Sequence, residues 1–125
     1  MHRSRLTQVL VDVPADLYEV ATGFWSGALA ADATGDDDDP EYRELGQVIP
    51  GLGFMVQRVG ATARLHIDIE SDDVDAEVAR LEALGATRVE QNHTWWVMSD
   101  PAGLLFCVVR VQNREAFERD ARTWP

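Results

Sequence analysis

The chain has 125 residues, 46% of them hydrophobic, so its length suits one domain with a substantial core. Its formal net charge is −11, from 22 acidic and 11 basic residues. This balance argues against nucleic acid as a partner, because little positive charge is present to neutralise phosphates, and equally against anionic membrane surfaces.

The cellular context follows from what the sequence lacks. No apolar run approaches the roughly 20 residues that span a bilayer, and the first residues lack the longer apolar stretch of a signal peptide. A single cysteine, Cys107, excludes an internal disulfide. We therefore expect a reduced cytoplasmic protein. All basic residues are arginine, which indicates a GC-rich bacterial genome.

The first half of the chain begins with a strand at residues 6–13, where Gln8, Leu10 and Asp12 alternate with valines. Helical spacing of apolar residues predicts a helix over residues 14–29. Residues 31–40 contain four successive aspartates and are expected to form an exposed, mobile loop, because like charges repel.

Further elements follow from alternation, turn residues and helix signals along the rest of the chain. Strands are predicted at residues 42–49, 53–59, 64–70, 87–91, 94–99 and 104–111, with helices between residues 71 and 84 and over residues 113–122.

The strand at residues 64–70 has an aliphatic face and an ionisable face, the latter made of Arg64, His66, Asp68 and Glu70. Four such side chains cannot line a dry core, since each buried unpaired charge is costly. They are expected to face water or a hydrated cavity. An ordinary solvated sheet face is the alternative.

The two halves of the chain also repeat. Residues 8–12 align with residues 66–70, and residues 51–59 align with residues 103–111, sharing Gly, Leu, Phe, Val and Arg positions. Strand, helix and further strands therefore occur twice in the same order.

The segment ARLHIDIESDDVDAEVARLEALGATRVE, followed by TWWVMSDPAGLLFCVV, resembles the second module of glyoxalase-like proteins, in the glyoxalase, bleomycin resistance and dioxygenase (vicinal oxygen chelate) superfamily. The resemblance implies an α+β fold in which two βαβββ modules form a cupped mixed sheet with helices on its convex side. It places module one at about residues 5–60, module two at about residues 63–111 and a C-terminal helix at about residues 113–122, in one domain of residues 1–125.

Metal-dependent members of this family carry ligands on the first and last strands of each module. By position these are Gln8, His66, Cys107 and either Met55 or Gln57. Both family carboxylates are missing, and hard divalent cations prefer oxygen ligands. We therefore expect neither a metal nor another cofactor.

The resemblance and the strand faces together predict a ligand cavity lined by Gln8, Gln57, Arg64, His66, Asp68, Trp95, Trp96 and Cys107. Arg64 could hold an anionic group, and His66 is the candidate catalytic base. Trp95 and Trp96 are adjacent on a strand, so only one of them can face the cavity.

Three functions remain open at this point. The first is a small-molecule-binding domain with a degenerate, metal-free site. The second is a lyase, isomerase or dioxygenase that uses His66. The third is a structural protein that dimerises through its sheet edges. We expect a small-molecule ligand, and a homodimer as the assembly.

Overall fold

The computed structural model describes residues 1–46 and 48–125. In this part of the chain the fold is α+β, with nine strands and three α-helices. The strands are β1 (His2–Val13), β2 (Ala33–Asp36), β3 (Asp39–Leu45), β4 (Gly53–Arg58), β5 (Arg64–Ser71), β6 (Thr87–Asn92), β7 (Trp95–Ser99), β8 (Leu105–Arg110) and β9 (Arg122–Trp124). The helices are α1 (Tyr18–Leu29), α2 (Val74–Ala83) and α3 (Arg114–Asp120), and a short 3₁₀ turn at Ala15–Leu17 precedes α1. None of these helices is both long and apolar enough to cross a membrane.

The order of elements confirms the predicted repeat. A strand, a helix and three strands occur from β1 to β4 and again from β5 to β8, before α3 and β9 complete the chain. Parallel and antiparallel pairs both occur, as expected for a mixed sheet.

The chain forms two compact units. The N-terminal unit comprises Gln8–His66, and the C-terminal unit comprises Met1–Thr7 with Ile67–Pro125. The unit boundaries therefore fall inside β1 and β5. That the whole chain acts as one domain, with modules at about residues 5–60 and 63–111, stays a prediction.

The N-terminal unit has the strand order β2-β3-β4-β1, in which β1 and β4 are parallel. One face of these strands packs on α1 through a core of Val11, Val13, Leu45, Val56 and Tyr18. This confirms that the valines of β1 share one face. Alternation then places Gln8, Leu10 and Asp12 on the opposite face.

The C-terminal unit has the strand order β5-β8-β7-β6, in which β5 and β8 are parallel. Its core joins Val78 of α2 to Met98, Phe106 and Val108 of the sheet. The Asp73 side chain caps α2 by accepting a hydrogen bond from the Ala76 N–H at 3.0 Å.

The prediction that residues 31–40 form a loop is wrong, whereas the predicted exposure of this segment is correct. Residues 33–36 form β2, which pairs with β3, and residues 32–40 are all exposed. Exposed carboxylates stay hydrated and their repulsion is screened, so backbone pairing decides the structure. Asp36 accepts a hydrogen bond from the Asp38 N–H at 2.9 Å at the tip of this hairpin.

Two other predicted boundaries also change. The strand expected at residues 42–49 lies at Asp39–Leu45, and residue 47 of that prediction falls outside the described residues. The helix expected over residues 113–122 ends at Asp120, because Arg122–Trp124 pairs with the start of β1 instead.

The expectation that Glu70 faces water or a hydrated cavity is also wrong. Its side chain is fully buried, and its Oε1 accepts a hydrogen bond from Arg5 Nε at 2.7 Å. Its Oε2 accepts from the N–H groups of Gln112 at 2.5 Å and Asn113 at 3.2 Å. A charge can be buried when an opposite charge and hydrogen bonds replace its water.

Candidate functional site

The main feature of the N-terminal unit is a buried pair formed by Asp12 of β1 and His66 of β5. Asp12 is 1% exposed and His66 is 9% exposed. Asp12 Oδ2 lies 2.6 Å from His66 Nδ1. When the carboxylate is ionised, the Nδ1 hydrogen is donated to it, and the basic lone pair of a neutral imidazole then resides on Nε2.

The Asp12 carboxylate has a second charged neighbour. Arg64 Nε lies 3.5 Å from Asp12 Oδ2, and the Arg64 side chain is half exposed. Asp12 Oδ1, in contrast, is buried and finds no hydrogen-bond partner among the described residues. Arg64 therefore compensates part of the buried charge, while its exposed guanidinium can still bind an anion from solvent.

A row of polar side chains crosses the same face of the N-terminal unit. Gln57 of β4 is the register partner of Asp12 on one side and of Tyr42 on the other. Gln57 Nε2 donates a hydrogen bond to the Tyr42 hydroxyl oxygen at 3.0 Å. Tyr42 and Gln57 are half-buried, so they can contact both the protein and a ligand.

Gln8 lies farther along β1, next to Gly53 of β4. A Cβ atom added at Gly53 would lie 3.2 Å from the Gln8 side chain, so a larger residue at this position would displace the Gln8 side chain. Gln8 and Met55 are half-buried on this face. Polar amides thus flank the Asp12–His66 pair along β1 and β4.

The other predicted site residues belong to the C-terminal unit. Asp68 of β5 and Cys107 of β8 are register partners, and Asp68 is 7% exposed. Trp96 packs on the core beside α2, with the Arg88 guanidinium 4.9 Å from its ring centroid. Trp95 points to the opposite face by alternation, and its ring lies 5.6 Å from that of His93. Trp95 is therefore the better placed of the two to meet a ligand.

The structure thus distributes the predicted residues between the units. Gln8, Gln57, Arg64 and His66 share one face of the N-terminal unit, whereas Asp68, Trp95, Trp96 and Cys107 lie in the C-terminal unit. A ligand-binding role for each, and their convergence on one cavity, stay predictions.

Two residues of this face, Asp12 and Tyr42, are not among the predicted site residues. Alternation places Asp12 on the Gln8 side of β1 but assigns it no role. Its signal was present in the repeat, where Asp12 aligns with Glu70 as a second acidic residue on a polar face. Tyr42 gave no such signal, because its place depends on the pairing of β3 with β4.

The metal that the fold family implies can be tested against the donor atoms of this face. At the family's positions the N-terminal unit offers an imidazole at His66, an amide at Gln8 and a thioether at Met55. Asp12 engages His66 Nδ1, as carboxylates commonly do for metal-ligating histidines, and Gln57 Nε2 donates to Tyr42, so neither contact argues against a metal. A thioether is a poor ligand for hard divalent cations, which need carboxylate oxygens. The set of Gln8, Met55 and His66 therefore lacks the carboxylate oxygens of a hard divalent site, and we assign no chemical step to a metal.

Comparison with known proteins agrees with the fold. The model of the glyoxalase-like domain matches residues 8–109. A hypothetical protein from Bacillus halodurans is similar in structure, with a TM-score of 0.63 and 12% identity over 88% of this chain and 96% of that one. The Mn(II)-bound glyoxalase from Novosphingobium aromaticivorans has a TM-score of 0.60 and 20% identity over 86% of this chain but only 39% of its own. A Streptomyces coelicolor methylmalonyl-CoA epimerase variant in complex with 2-nitronate-propionyl-CoA has a TM-score of 0.50 and 12% identity, over 86% and 97% of the two chains. No curated protein matches the sequence.

Proposed function

We propose that this chain, which belongs to the family of glyoxalase-like domains, binds a small carboxylate and that His66 removes a proton from it. A base that takes a proton from carbon fits an isomerase or a lyase, so this proposal favours the catalytic alternative over a domain that only sequesters its ligand. The site is proposed to work without a metal.

The observation that carries the proposal is the 2.6 Å contact between Asp12 Oδ2 and His66 Nδ1. A buried carboxylate that accepts the Nδ1 hydrogen fixes the ring orientation and makes Nε2 the basic atom. When Nε2 takes a proton, the imidazolium gains a favourable charge interaction with Asp12. Asp12 is thus a positioning residue, and His66 is the catalytic one.

Arg64 supports the choice of a carboxylate ligand. Its guanidinium has several N–H donors in one plane, which match the two oxygens of a carboxylate. Arg64 Nε lies 3.5 Å from Asp12 Oδ2, and the side chain is half exposed, so its guanidinium can reach solvent as well. The amides of Gln8 and Gln57 could bind the remaining polar atoms of the ligand. Ligand contacts at Asp68, Trp95, Trp96 and Cys107 belong to the same proposal.

The cellular location, oligomeric state and partners of the protein are proposed from its sequence. We propose a cytoplasmic, bacterial homodimer with no nucleic-acid or membrane partner. The acidic surface, with a net charge of −11, supports the absence of nucleic acid. Arg64 favours an anionic ligand.

Proton removal can be measured without knowing the product. The protein is incubated in deuterium oxide with pyruvate, 2-oxobutyrate or 2-oxoglutarate, and NMR follows replacement of hydrogen by deuterium beside the carbonyl. We expect exchange with at least one of them, and a fall of roughly 100-fold or more in His66→Gln, the usual contribution of a general base. His93→Asn is the matched control, because His93 is an exposed histidine with φ 52°, which asparagine tolerates.

The other outcomes separate the alternatives. A rise in melting temperature with these acids but no exchange would contradict catalysis and favour a sequestering protein, since a ligand that binds the native state stabilises it. If the protein neither binds these acids nor exchanges their hydrogen for deuterium, a structural role would be favoured.

A further inference from the structure

A pocket in the C-terminal unit lies apart from the residues of the proposed function. Its volume is about 310 Å³, within the range of small-molecule sites. Its walls come from residues 71–75, at the end of β5 and the start of α2, from Gln91 and Thr94 beside the turn between β6 and β7, and from Arg110 at the end of β8. Among the described residues that line it, every side chain except that of Val74 is polar or charged, so the pocket suits a polar ligand.

This pocket is on the face of the sheet that packs on α2. Trp96 and Val108 are register partners, and both belong to the core beneath that helix. Thr94 and Arg110 lie two residues beyond this pair, so alternation keeps them on the same face. Trp95, for which a ligand contact is proposed above, points to the other face. The pocket is therefore a separate site.

Arg110 differs from most arginines of this chain. Nine of the eleven arginines form an ion pair with a carboxylate, as expected in a protein with an excess of acidic residues. Arg110 and Arg122 form none with the residues that the structure describes. Within the same residues the guanidinium of Arg110, which is exposed, makes no hydrogen bond either. It is available to bind a ligand carboxylate through paired N–H donors.

Three aspartates also line the pocket, and two of them are engaged within the protein. Asp72 accepts hydrogen bonds from the backbone N–H and the Nε of Arg3, at 2.7 and 3.1 Å. Asp73 caps α2. The exposed Asp75 carboxylate makes no hydrogen bond or ion pair with any described residue. Asp75 is therefore available to bind a ligand ammonium group.

We propose that this pocket binds the zwitterion of a free α-amino acid, with the ligand carboxylate on Arg110 and its ammonium group on Asp75. The site goes beyond the proposed function, because neither residue takes part in the chemistry at His66. A purely anionic ligand would be repelled by the three aspartates, and a purely cationic ligand by Arg110. A zwitterion matches both charges at once, and the polar groups of Gln91 and Thr94 can contact a polar amino-acid side chain.

Three matched probes separate the two charges of the ligand. L-glutamine carries both, glutaramate lacks the ammonium group, and 4-aminobutanamide lacks the carboxylate. Each is titrated into ¹⁵N-labelled protein, and the backbone amide signals of Val74 and Thr94 are followed by NMR. We expect L-glutamine to shift both signals, and each of the other two to bind roughly threefold or more weakly, the effect of one ion pair exposed to water.

Two variants assign the charges to their residues. Arg110→Gln should weaken L-glutamine binding roughly threefold or more but leave 4-aminobutanamide unaffected, since that probe has no carboxylate. Asp75→Asn should weaken L-glutamine binding similarly but leave glutaramate unaffected. The matched controls are Arg122→Gln, at the other arginine without an ion pair, and Glu115→Gln, in the first turn of α3. Both should bind L-glutamine like the wild type.

Several results would overturn the assignment. Glutaramate binding as tightly as L-glutamine would indicate a plain anion site, and 4-aminobutanamide doing so would indicate a plain cation site. The absence of any shift at Val74 and Thr94 up to the solubility of L-glutamine, or an unchanged L-glutamine affinity in Arg110→Gln, would contradict the proposal outright.

Discussion

His2, at the start of β1, and Glu77, in the middle of α2, form a buried hydrogen-bonded pair. His2 Nε2 lies 2.6 Å from Glu77 Oε2, and the Glu77 side chain is fully buried. Ser4 Oγ donates to Glu77 Oε1 at 2.9 Å, and Arg80 donates to both carboxylate oxygens at 3.0 and 2.7 Å. These contacts hold the first residues of β1 against α2 within the C-terminal unit.

Replacing Glu77 by glutamine should destabilise the protein at neutral pH. The variant leaves Arg80 without its carboxylate partner, and breaking such a buried network costs about 2–4 kcal/mol. Urea denaturation measures the loss. Glu82→Gln on the same helix is the control, because its partner Arg88 is on the surface, and it should have little effect.

The effect of Glu77→Gln should also depend on pH. Burial raises the pKa of the Glu77 carboxyl, but the hydrogen bonds from Arg80, His2 and Ser4 outweigh burial and hold this pKa below its ordinary value of 4.5. The stabilisation is therefore complete above about pH 4.5 and is lost as the pH falls through the folded-state pKa. A wild-type advantage that grew on acidification would contradict this account.

Glu70 should control the order of α3. Its carboxylate accepts the N–H groups of Gln112 and Asn113, immediately before the helix. In Glu70→Ala these groups and Arg5 lose a buried partner, so we expect faster amide hydrogen exchange in α3, at Ala116 and Phe117 above all. Glu115→Ala, at an exposed position of α3, should leave this exchange almost unchanged.

Purified protein should contain no stoichiometric transition metal, as expected from the loss of the family's carboxylate ligands. Elemental analysis of protein expressed with zinc, nickel, manganese and iron in the medium measures this. Near-stoichiometric metal that disappears in His66→Ala would show that the present donor set binds a metal after all.

The fold was largely predictable because its main signals are local. Strict alternation in residues 64–70 and the apolar spacing of α2 depend only on neighbouring residues, and both elements were found where expected. The repeat predicted the order of strands and helices along the chain. The missed strands β2 and β9 have no apolar alternation, since they exist through pairing with β3 and with the first residues of β1.

The site was only partly predictable, for a related reason. Alternation placed His66 on a polar face, but its partner Asp12 is 54 residues away in sequence. In the same way, Glu70 was expected in water because Arg5, which makes its burial possible, is 65 residues away. Burial of a charged residue depends on such distant partners, which periodicity along one strand does not reveal.

The central claim is that Asp12 makes His66 a base, and Asp12→Asn tests it most directly. Asparagine keeps the shape of the side chain but loses the charge that stabilises the imidazolium, so deuterium exchange into a 2-oxo acid that the wild type exchanges should fall roughly 100-fold or more. Asp16→Asn, at an exposed position just before α1, should retain the wild-type rate. If Asp12→Asn exchanges deuterium as fast as the wild type, the Asp12–His66 pair is not the base, and the proposed function is contradicted.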